Sequence, residues 1–322
     1  MRDTADVTII GGGPIGLFGL YCAGLYRLRA RLIERLDRLG GQLEHLYPEK
    51  PIYDVGGFPM IRGRELVERL KQQAFQYPAE IVTGVTATAL SQGDDAYLVE
   101  TDQGTFSSRA VVITAGIGEF LPRRFGQPEI DQYEGRGLYY VVDHLSDFDG
   151  QRVLVVGGGD SAADWAMAIA DRAAHVTMIH RRDTFQCHPD SLIKLQQHPR
   201  VRLLTNRAIH RVLGEDAVNA VELQTPDGRV LPEPLAVDRV IVAIGLIPGT
   251  DIFRQWGLDF EGHEIRVATD MSTNRPGVFA AGDIVTYPGK VKLIAAGFGE
   301  VATAVESARR YLEALLRTKI PR

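Results

Sequence analysis

The residues best placed to do chemistry form two sets of one design. Gly157-Gly158-Gly159 leads into Asp160 and Ser161, and further along the chain reads His180-Arg181-Arg182. Glycines permit a tight turn and let backbone N–H groups come close to phosphate oxygens. A helix starting there adds the positive end of its dipole. The two arginines offer planar forks that suit a 2′-phosphate, so this set is expected to grip NADP(H). The other set is Gly11-Gly12-Gly13-Pro14-Ile15-Gly16, completed by Glu34. An acid at that point accepts the hydrogen bond of a free ribose 2′-hydroxyl, as in the adenosine half of FAD or NAD. Two chemically distinct dinucleotides are the economical reading. The candidate contacts are Gly11, Gly13, Pro14, Ile15 and Glu34 for one, and Gly158, Gly159, Asp160, Ser161, His180, Arg181 and Arg182 for the other.

Such contacts need a strand, a glycine turn, a helix and a second strand, in that order. The chain supplies the unit twice. Asp6 to Ile10 and Val153 to Val156 are apolar runs that lead into the glycines. Helical periodicity follows, reaching about Arg27 in the first copy, and β-branched runs end at Ile33 and Ile179. Gly11 to Gly157 and Glu34 to His180 are both separated by 146 positions. The likeness continues outward. Gly63 to Tyr77 reads as a helix, and Val85 to Ala89 and Ala96 to Thr101 as short strands before the turn Asp102-Gln103-Gly104. Ala110 to Ile113 then meets Thr114-Ala115-Gly116. The second half repeats this with Ala208 to Val212, Ala217 to Gln224, the turn Pro226-Asp227-Gly228, and Arg239 to Val242 before Ala243-Ile244-Gly245.

The expected class is α/β, with two Rossmann-like, three-layer ββα dinucleotide-binding domains. Past Gly245, Val278 to Asp283 reads as a strand ending in an acidic turn, and Leu293 to Gly299 enters a helix over about 301–316. These have no counterpart in the middle of the chain and are expected to close the first domain. The NADPH-binding domain (117–245) is therefore expected as an insertion within the FAD-binding domain (1–116 and 246–322). Both crossings, near Gly116 to Phe120 and Gly245 to Gly249, contain glycine, and a hinge is expected there.

At 322 residues the length fits roughly two domains of about 150 residues. Hydrophobic content of 45% beside 24% charged residues is that of a soluble globular protein. A net charge of −5 argues against general nucleic-acid binding. No apolar run approaches the roughly 20 residues that cross a bilayer. Asp3 and Asp6 precede a short strand, which is no signal-peptide profile, so the cytoplasm is the default. The two cysteines, Cys22 and Cys187, make neither a CxxC nor a zinc set. Cys22 reads as a core residue of the first helix, and Cys187, in a polar loop, as exposed. No metal site is expected.

Taken in order, GGGPIGL, Glu34, GGQL at 40–43, GGGDSA, HRR and AAGD at 280–283 resemble the low-molecular-weight thioredoxin reductases over nearly the whole chain. One departure is decisive. Where those enzymes carry a CxxC, this sequence has Tyr140-Val141-Val142-Asp143, which cannot cycle between dithiol and disulfide. The branch it resembles is the thioredoxin-reductase-like ferredoxin–NADP(+) reductases, with Tyr139-Tyr140-Val141, Tyr47-Pro48 and Leu293 to Glu300 agreeing locally. The resemblance implies FAD and NADP(H) as cofactors. It puts Glu34 on the adenosine ribose, Gly41, Gln42 and Tyr47 at the flavin half, Val85 near the adenine and Phe120 beside the isoalloxazine. Asp283 goes to the ribityl chain, Leu293 to Phe298 lie along the flavin edge, and Gly282 and Gly245 are further cofactor contacts.

The implied reaction passes hydride from NADPH to flavin N5 and electrons singly to ferredoxin or flavodoxin, in a homodimer, with no catalytic side chain required. Acidic partners call for a basic patch, for which Arg123, Arg124, Arg136, Arg309 and Arg310 are candidates. Two details depart from the branch. Gln186 stands where a third arginine usually follows HRR, which weakens the expected grip on the 2′-phosphate. The sequence ends at Lys319-Ile320-Pro321-Arg322, where relatives continue over the flavin, so one flavin face is expected to be less covered. Two other readings stay open. One is an NADPH-dependent flavin reductase of a low-molecular-weight disulfide, quinone or oxygen. Ile15, in place of the cysteine of bacillithiol-disulfide-type reductases, weakens its disulfide version. The other is a low-turnover flavin-binding sensor.

Overall fold

The computed structural model describes residues 3–46, 48–93 and 95–318. They divide into two compact units, one of Met1–Pro48, Ile52–Phe120 and Pro248–Arg322, the other of Glu49–Pro51 and Leu121–Ile247.

In the first unit the buried strand Ala5–Ile10 lies between Ala30–Ile33 and Gly104–Ile113, all parallel, with Glu80–Val82 and Val278–Ala280 at the flanks. Register brings Ile10 level with Ile33 and Ile113, and Ala280 level with Ile113. The segments after those residues therefore share one edge, the carboxyl end, where open α/β sheets bind ligands. Gly104–Ile113 belongs to two layers. Its start pairs antiparallel with Tyr97–Thr101, itself paired with Ala87–Gln92, and its end lies in the parallel sheet. Side chains alternate as a period of two requires. Val7, Ile9, Ala110 and Val112 face the helices Pro14–Leu25, Gly63–Ala74 and Ile294–Thr318. Ile10, Val111 and Ile113 face the antiparallel layer with Val99, Phe106 and Trp256. Fully burying side chains such as Leu17 and Ile9, both 0% exposed, contributes about 1.5–3 kcal/mol each.

The second unit repeats the plan. Its parallel strands run Leu138–Tyr139, Arg239–Val242, Arg152–Val156, His175–Ile179, Val201–Leu204, the same spatial sequence as in the first unit. Val156 is level with both Ile179 and Val242. A separate antiparallel sheet of Ala208–Leu213, Ala220–Gln224 and Leu235–Ala236 covers one face through Ile209, Val212, Val221 and Leu223. The helices after the two glycine turns begin at Pro14 and Asp160, 146 positions apart like the glycines.

Several sequence expectations are corrected. The last strand of the first unit does have a counterpart: Leu138–Tyr139 fills the matching flank from the other side in sequence. A two-residue strand has no period by which to be recognised. The first helix stops at Leu25, because Arg27 turns left-handed with φ of 56°. The last helix starts at Ile294, well before 301, since the carboxylate of Asp54 accepts the Ile294 N–H at 2.7 Å and caps its start. Cys187 is buried, as is Cys22. Both crossings between units are strands, Glu119–Pro122 and Leu246–Gly249, and they pair with each other. Among the described residues no helix is long and apolar enough to cross a membrane.

Candidate dinucleotide sites

The first glycine turn follows Ile10. Gly11 holds φ at 107°, and a Cβ there would stand 2.6 Å from the Thr114 carbonyl oxygen. A Cβ on Gly16 would lie 1.8 Å from the Gly11 oxygen, so only glycine lets the helix sit this close to the strand. Gly13 caps the helix with no side-chain bond and Pro14 takes its first turn, which leaves N–H groups available to an anion. Gly41, with φ of 55°, brings the GGQL segment against that turn; its Cβ would meet the Gly13 Cα at 3.0 Å. The Gln42 amide lies beside Gly116, 3.4 Å from where a Cβ would be. Ile15 packs against Gly282 and Gly297.

Glu34 is buried at the end of the second strand. One carboxylate oxygen accepts the Gly12 N–H at 2.6 Å and the other the Leu36 N–H at 2.8 Å. Burial pushes its carboxyl above the ordinary range, against the pull of those two bonds. Val85 is buried beside it and gives its N–H to the Glu34 carbonyl at 3.0 Å. Gly282, with φ of 87°, turns the chain after Ala280. Asp283 is exposed, yet the protein crowded around it pushes its carboxyl up, while Lys290 and Lys292 pull it down. Gly11, Gly13, Pro14, Ile15, Glu34, Gly41, Gln42, Val85, Gly282 and Asp283 thus gather at one sheet edge. Tyr47 and the side chain of Phe120 lie outside the described residues.

The second turn is built alike and finished differently. A Cβ on Gly157 would meet the Ala243 oxygen at 2.3 Å, and one on Gly158 would run into the His180 ring at 2.2 Å. Gly159 caps the helix without a side-chain bond, and nothing lies within 4 Å of its missing Cβ. His180 lies beside Phe185, the rings tilted by 32° with centroids 5.8 Å apart, and its Nε2 is buried with no hydrogen-bond partner. Burial, with Arg182 and Arg181, lowers the His180 pKa. Both arginines are exposed. The loop that carries them is tied back to the turn: the Gln186 N–H reaches the Gly158 oxygen at 2.6 Å, and the His188 N–H reaches the Asp160 carboxylate at 2.7 Å. Asp160 therefore turns its acid to its own loop, while Ser161 sits half-buried in the first helical turn. Gly245, with φ of 106°, has open space at its missing Cβ.

The donor sets fit two dinucleotides. A buried acid beside an uncapped helix suits a ribose hydroxyl, and two exposed guanidinium groups suit a 2′-phosphate. At the position of the absent dithiol, Tyr140 is buried. Its hydroxyl donates to Asp131 and accepts the Phe125 N–H at 3.1 Å, and Arg124 lies over its ring at 4.8 Å. Burial and the Asp131 bond raise its pKa well above the ordinary phenol value. Tyr140 is structural, and Asp143 is exposed.

Of the arginines expected to attract an acidic partner, Arg123 is exposed, and the other four have partners inside the chain. Arg124 grips Glu134 with both arms, Arg309 and Arg310 share Glu306, and Arg136 donates to the Gln132 oxygen at 2.7 Å. Sequence reasoning missed Lys290, Tyr287 and the role of Glu300, which bond around Gly282. A lysine and a glutamate flanking an apolar, glycine-bearing run were the available signal. Among the described residues there is no cluster fit for a metal ion.

Known proteins share this architecture. The profile of the family described as pyridine nucleotide-disulphide oxidoreductase matches residues 5–308. A ferredoxin–NADP reductase of Halalkalibacterium halodurans is 45% identical over 318 residues, covering 98% of this chain and 96% of that protein. Another, of Geobacillus thermodenitrificans, is 44% identical over 319 residues, with 98% and 95% covered. Among solved structures, thioredoxin reductase of T. acidophilum is 25% identical, with a TM-score of 0.84 over 97% of this chain and 99% of that one.

Proposed function

The chain belongs to the pyridine nucleotide-disulphide oxidoreductase family, and within it we propose a flavoprotein oxidoreductase that passes electrons between NADPH and ferredoxin through FAD. The observation that carries this reading is the contrast between two otherwise equivalent glycine turns. One ends at the buried acid Glu34, the other at His180-Arg181-Arg182, and no cysteine pair stands near either.

FAD, when bound, supplies a centre that takes hydride and gives up electrons one at a time. The chain's own residues hold and orient. In the first unit, the FAD-binding domain of this proposal, Gly11, Gly13, Pro14 and Ile15 leave the helix N-terminus open to the pyrophosphate. Glu34 accepts ribose hydroxyls, with Val85 packed beside it. Gly41, Gln42, Tyr47, Phe120, Gly282 and Asp283 take the flavin half. In the second unit, the NADPH-binding domain, Gly158, Gly159 and Ser161 form the phosphate turn. His180, Arg181 and Arg182 take the 2′-phosphate, and Asp160 holds their loop. No side chain is required as acid, base or nucleophile.

The alternative of a disulfide reductase finds no support in Cys22 and Cys187, both buried, with burial raising their thiol pKa values. Flavodoxin is a second acceptor in this proposal, and the cytoplasm its compartment. The chain works in it as a homodimer. That last reading is what the resemblance to the thioredoxin-reductase-like reductases implies. Sedimentation at the mass of one chain would remove the dimer from the proposal. The deciding experiment adds NADPH anaerobically to the purified flavoprotein and follows cytochrome c reduction. Bleaching of the flavin spectrum and a cytochrome rate that depends on added ferredoxin are expected. A rate indifferent to ferredoxin and flavodoxin would overturn the assignment.

A further inference from the structure

Behind the acidic turn lies the buried ion pair of Lys290 and Glu300. Lys290 and Glu300 are 7% and 5% exposed, and the lysine Nζ lies 2.6 Å from one carboxylate oxygen and 2.8 Å from the other. The third Nζ donor reaches the Gly282 oxygen at 3.0 Å. Glu300 also accepts the Gly282 N–H at 2.8 Å and the Tyr287 hydroxyl at 2.8 Å. Burial, with Glu300 next, pushes the Tyr287 pKa up to about 12, so the hydroxyl keeps the proton it donates. Both main-chain groups of Gly282 are thus gripped, one by each member of the pair, and every donor of the lysine is used.

A buried ion pair is a poor device for stability alone, because desolvation offsets much of the attraction. This one stands where geometry matters. Gly282 holds a left-handed φ of 87° directly before Asp283, whose carboxylate is exposed. Ile15, in the first glycine turn, packs on Gly282, and its Cδ1 would be 2.5 Å from a Cβ on Gly297. Glu300 follows Gly297 by three positions in the same helix. One carboxylate therefore joins the acidic turn to the last helix, and Ile15 packs the first glycine turn against both.

We propose that Lys290 and Glu300 are positioning residues for FAD, a buried clamp that fixes the Gly282–Asp283 turn against the helix Ile294–Thr318. The proposal rests on the reading of that turn as part of the FAD site. It assigns the pair two effects: retention of FAD, through the fixed turn, and a local charge balance felt by the flavin. Removing the lysine leaves a buried anion, which opposes reduction. Removing the glutamate's charge leaves a buried cation, which favours it.

The test compares Lys290→Met, Glu300→Gln and the double variant as holoenzymes. FAD release on dilution is read from flavin fluorescence, and the flavin midpoint potential from a redox titration. Each single variant is expected to raise the FAD dissociation constant about tenfold or more. The potential should fall in Lys290→Met, rise in Glu300→Gln and return towards the parental value in the double variant. Loosening of the fold alone would move both single variants in one direction, and that result overturns the proposal, as does parental FAD retention in both. Where a charge variant fails to fold, Tyr287→Phe keeps both charges and removes one bond; a smaller FAD loss is expected, and parental retention overturns the clamp. Asp283→Ala separates the two levels. If it also retains FAD, the site reading fails; if it loses FAD while the clamp variants do not, only the clamp fails. Binding of 2′,5′-ADP, unchanged throughout, reports that the second unit is intact.

Discussion

His180, Arg181 and Arg182 work against one another until an anion arrives. Burial, and after it the guanidinium groups of Arg182 and Arg181, hold the His180 pKa below its ordinary 6.5. Between the lowered value and 6.5 the unfolded chain binds more protons than the folded one, so this residue makes stability fall as pH drops through that window. A 2′-phosphate offsets the arginines and should return the imidazole pKa upward. The phosphate itself titrates near pH 6 and gives up protons when arginines bind it, so the quantity to measure is a difference. Calorimetry at pH 6 in two buffers of unlike ionisation enthalpy should show more proton uptake on NADP+ binding in the parental protein than in His180→Asn. Equal uptake would mean the imidazole does not face the phosphate. The arginines carry the specificity. A hydrogen bond to a charged group contributes about 1.5–3 kcal/mol, so Arg181→Ala or Arg182→Ala should raise the KM for NADPH about 10–100-fold. NADH kinetics should stay within about threefold, and an equal loss for both nucleotides would place the arginines elsewhere than the 2′-phosphate.

At the scale of elements, the two kinds of glycine in these turns separate fold from function. Gly16 sets how close the first helix approaches its strand, with only 1.8 Å between its missing Cβ and the Gly11 oxygen. Gly16→Ala should cost at least about 3 kcal/mol as overpacking, seen as a lowered melting temperature and flavin lost on purification. Gly159 has nothing within 4 Å. Gly159→Ala should melt like the parent and yet raise the KM for NADPH about tenfold, because the added methyl stands where the pyrophosphate must approach. Reversed behaviour of the two variants would contradict this division. These turns were legible in the sequence because everything that defines them is local: an apolar run, three glycines, a helix and the charge that ends the next strand. The matched spacing of Glu34 and His180 made the duplication visible for the same reason. What stayed hidden is held through space. The last helix begins at Ile294 because Asp54, from a distant loop, caps it, and the glycines at 297 and 299 read as a loop until Ile15 is seen packed against the first of them. Cys187 looked exposed among polar neighbours, although its loop folds back onto Gly158 and Asp160. Lys290, Gly282 and Glu300 meet only once strand, turn and helix are in place.

For the whole molecule, charge decides how the two substrates approach. The chain carries a net charge of −5, and NADPH and an acidic ferredoxin are both anionic. For NADPH the protein offers Arg181 and Arg182, exposed beside a helix N-terminus. For ferredoxin the expected cations are Arg123, Arg124, Arg136, Arg309 and Arg310. Arg124, Arg309 and Arg310 are matched by Glu134, Glu306 and Glu313 within the same surface, whereas Arg136 donates only to a carbonyl and the exposed Arg123 has no carboxylate against it among the described residues. A matched pair has little field beyond its own contact, so it steers nothing at the Debye length of about 10 Å that holds at 0.1 M salt. Docking of ferredoxin should then rest mainly on short-range contact, with only Arg123 and Arg136 left to attract it at long range. A single salt series distinguishes the two cases in one protein. Between about 20 and 200 mM NaCl the KM for NADPH should rise severalfold as its arginines are screened. Over the same range kcat/KM for ferredoxin should change less than about threefold, and charge reversal by Arg124→Glu should have as little effect. A tenfold fall in the ferredoxin term would mean that a cationic surface other than these paired arginines steers the partner.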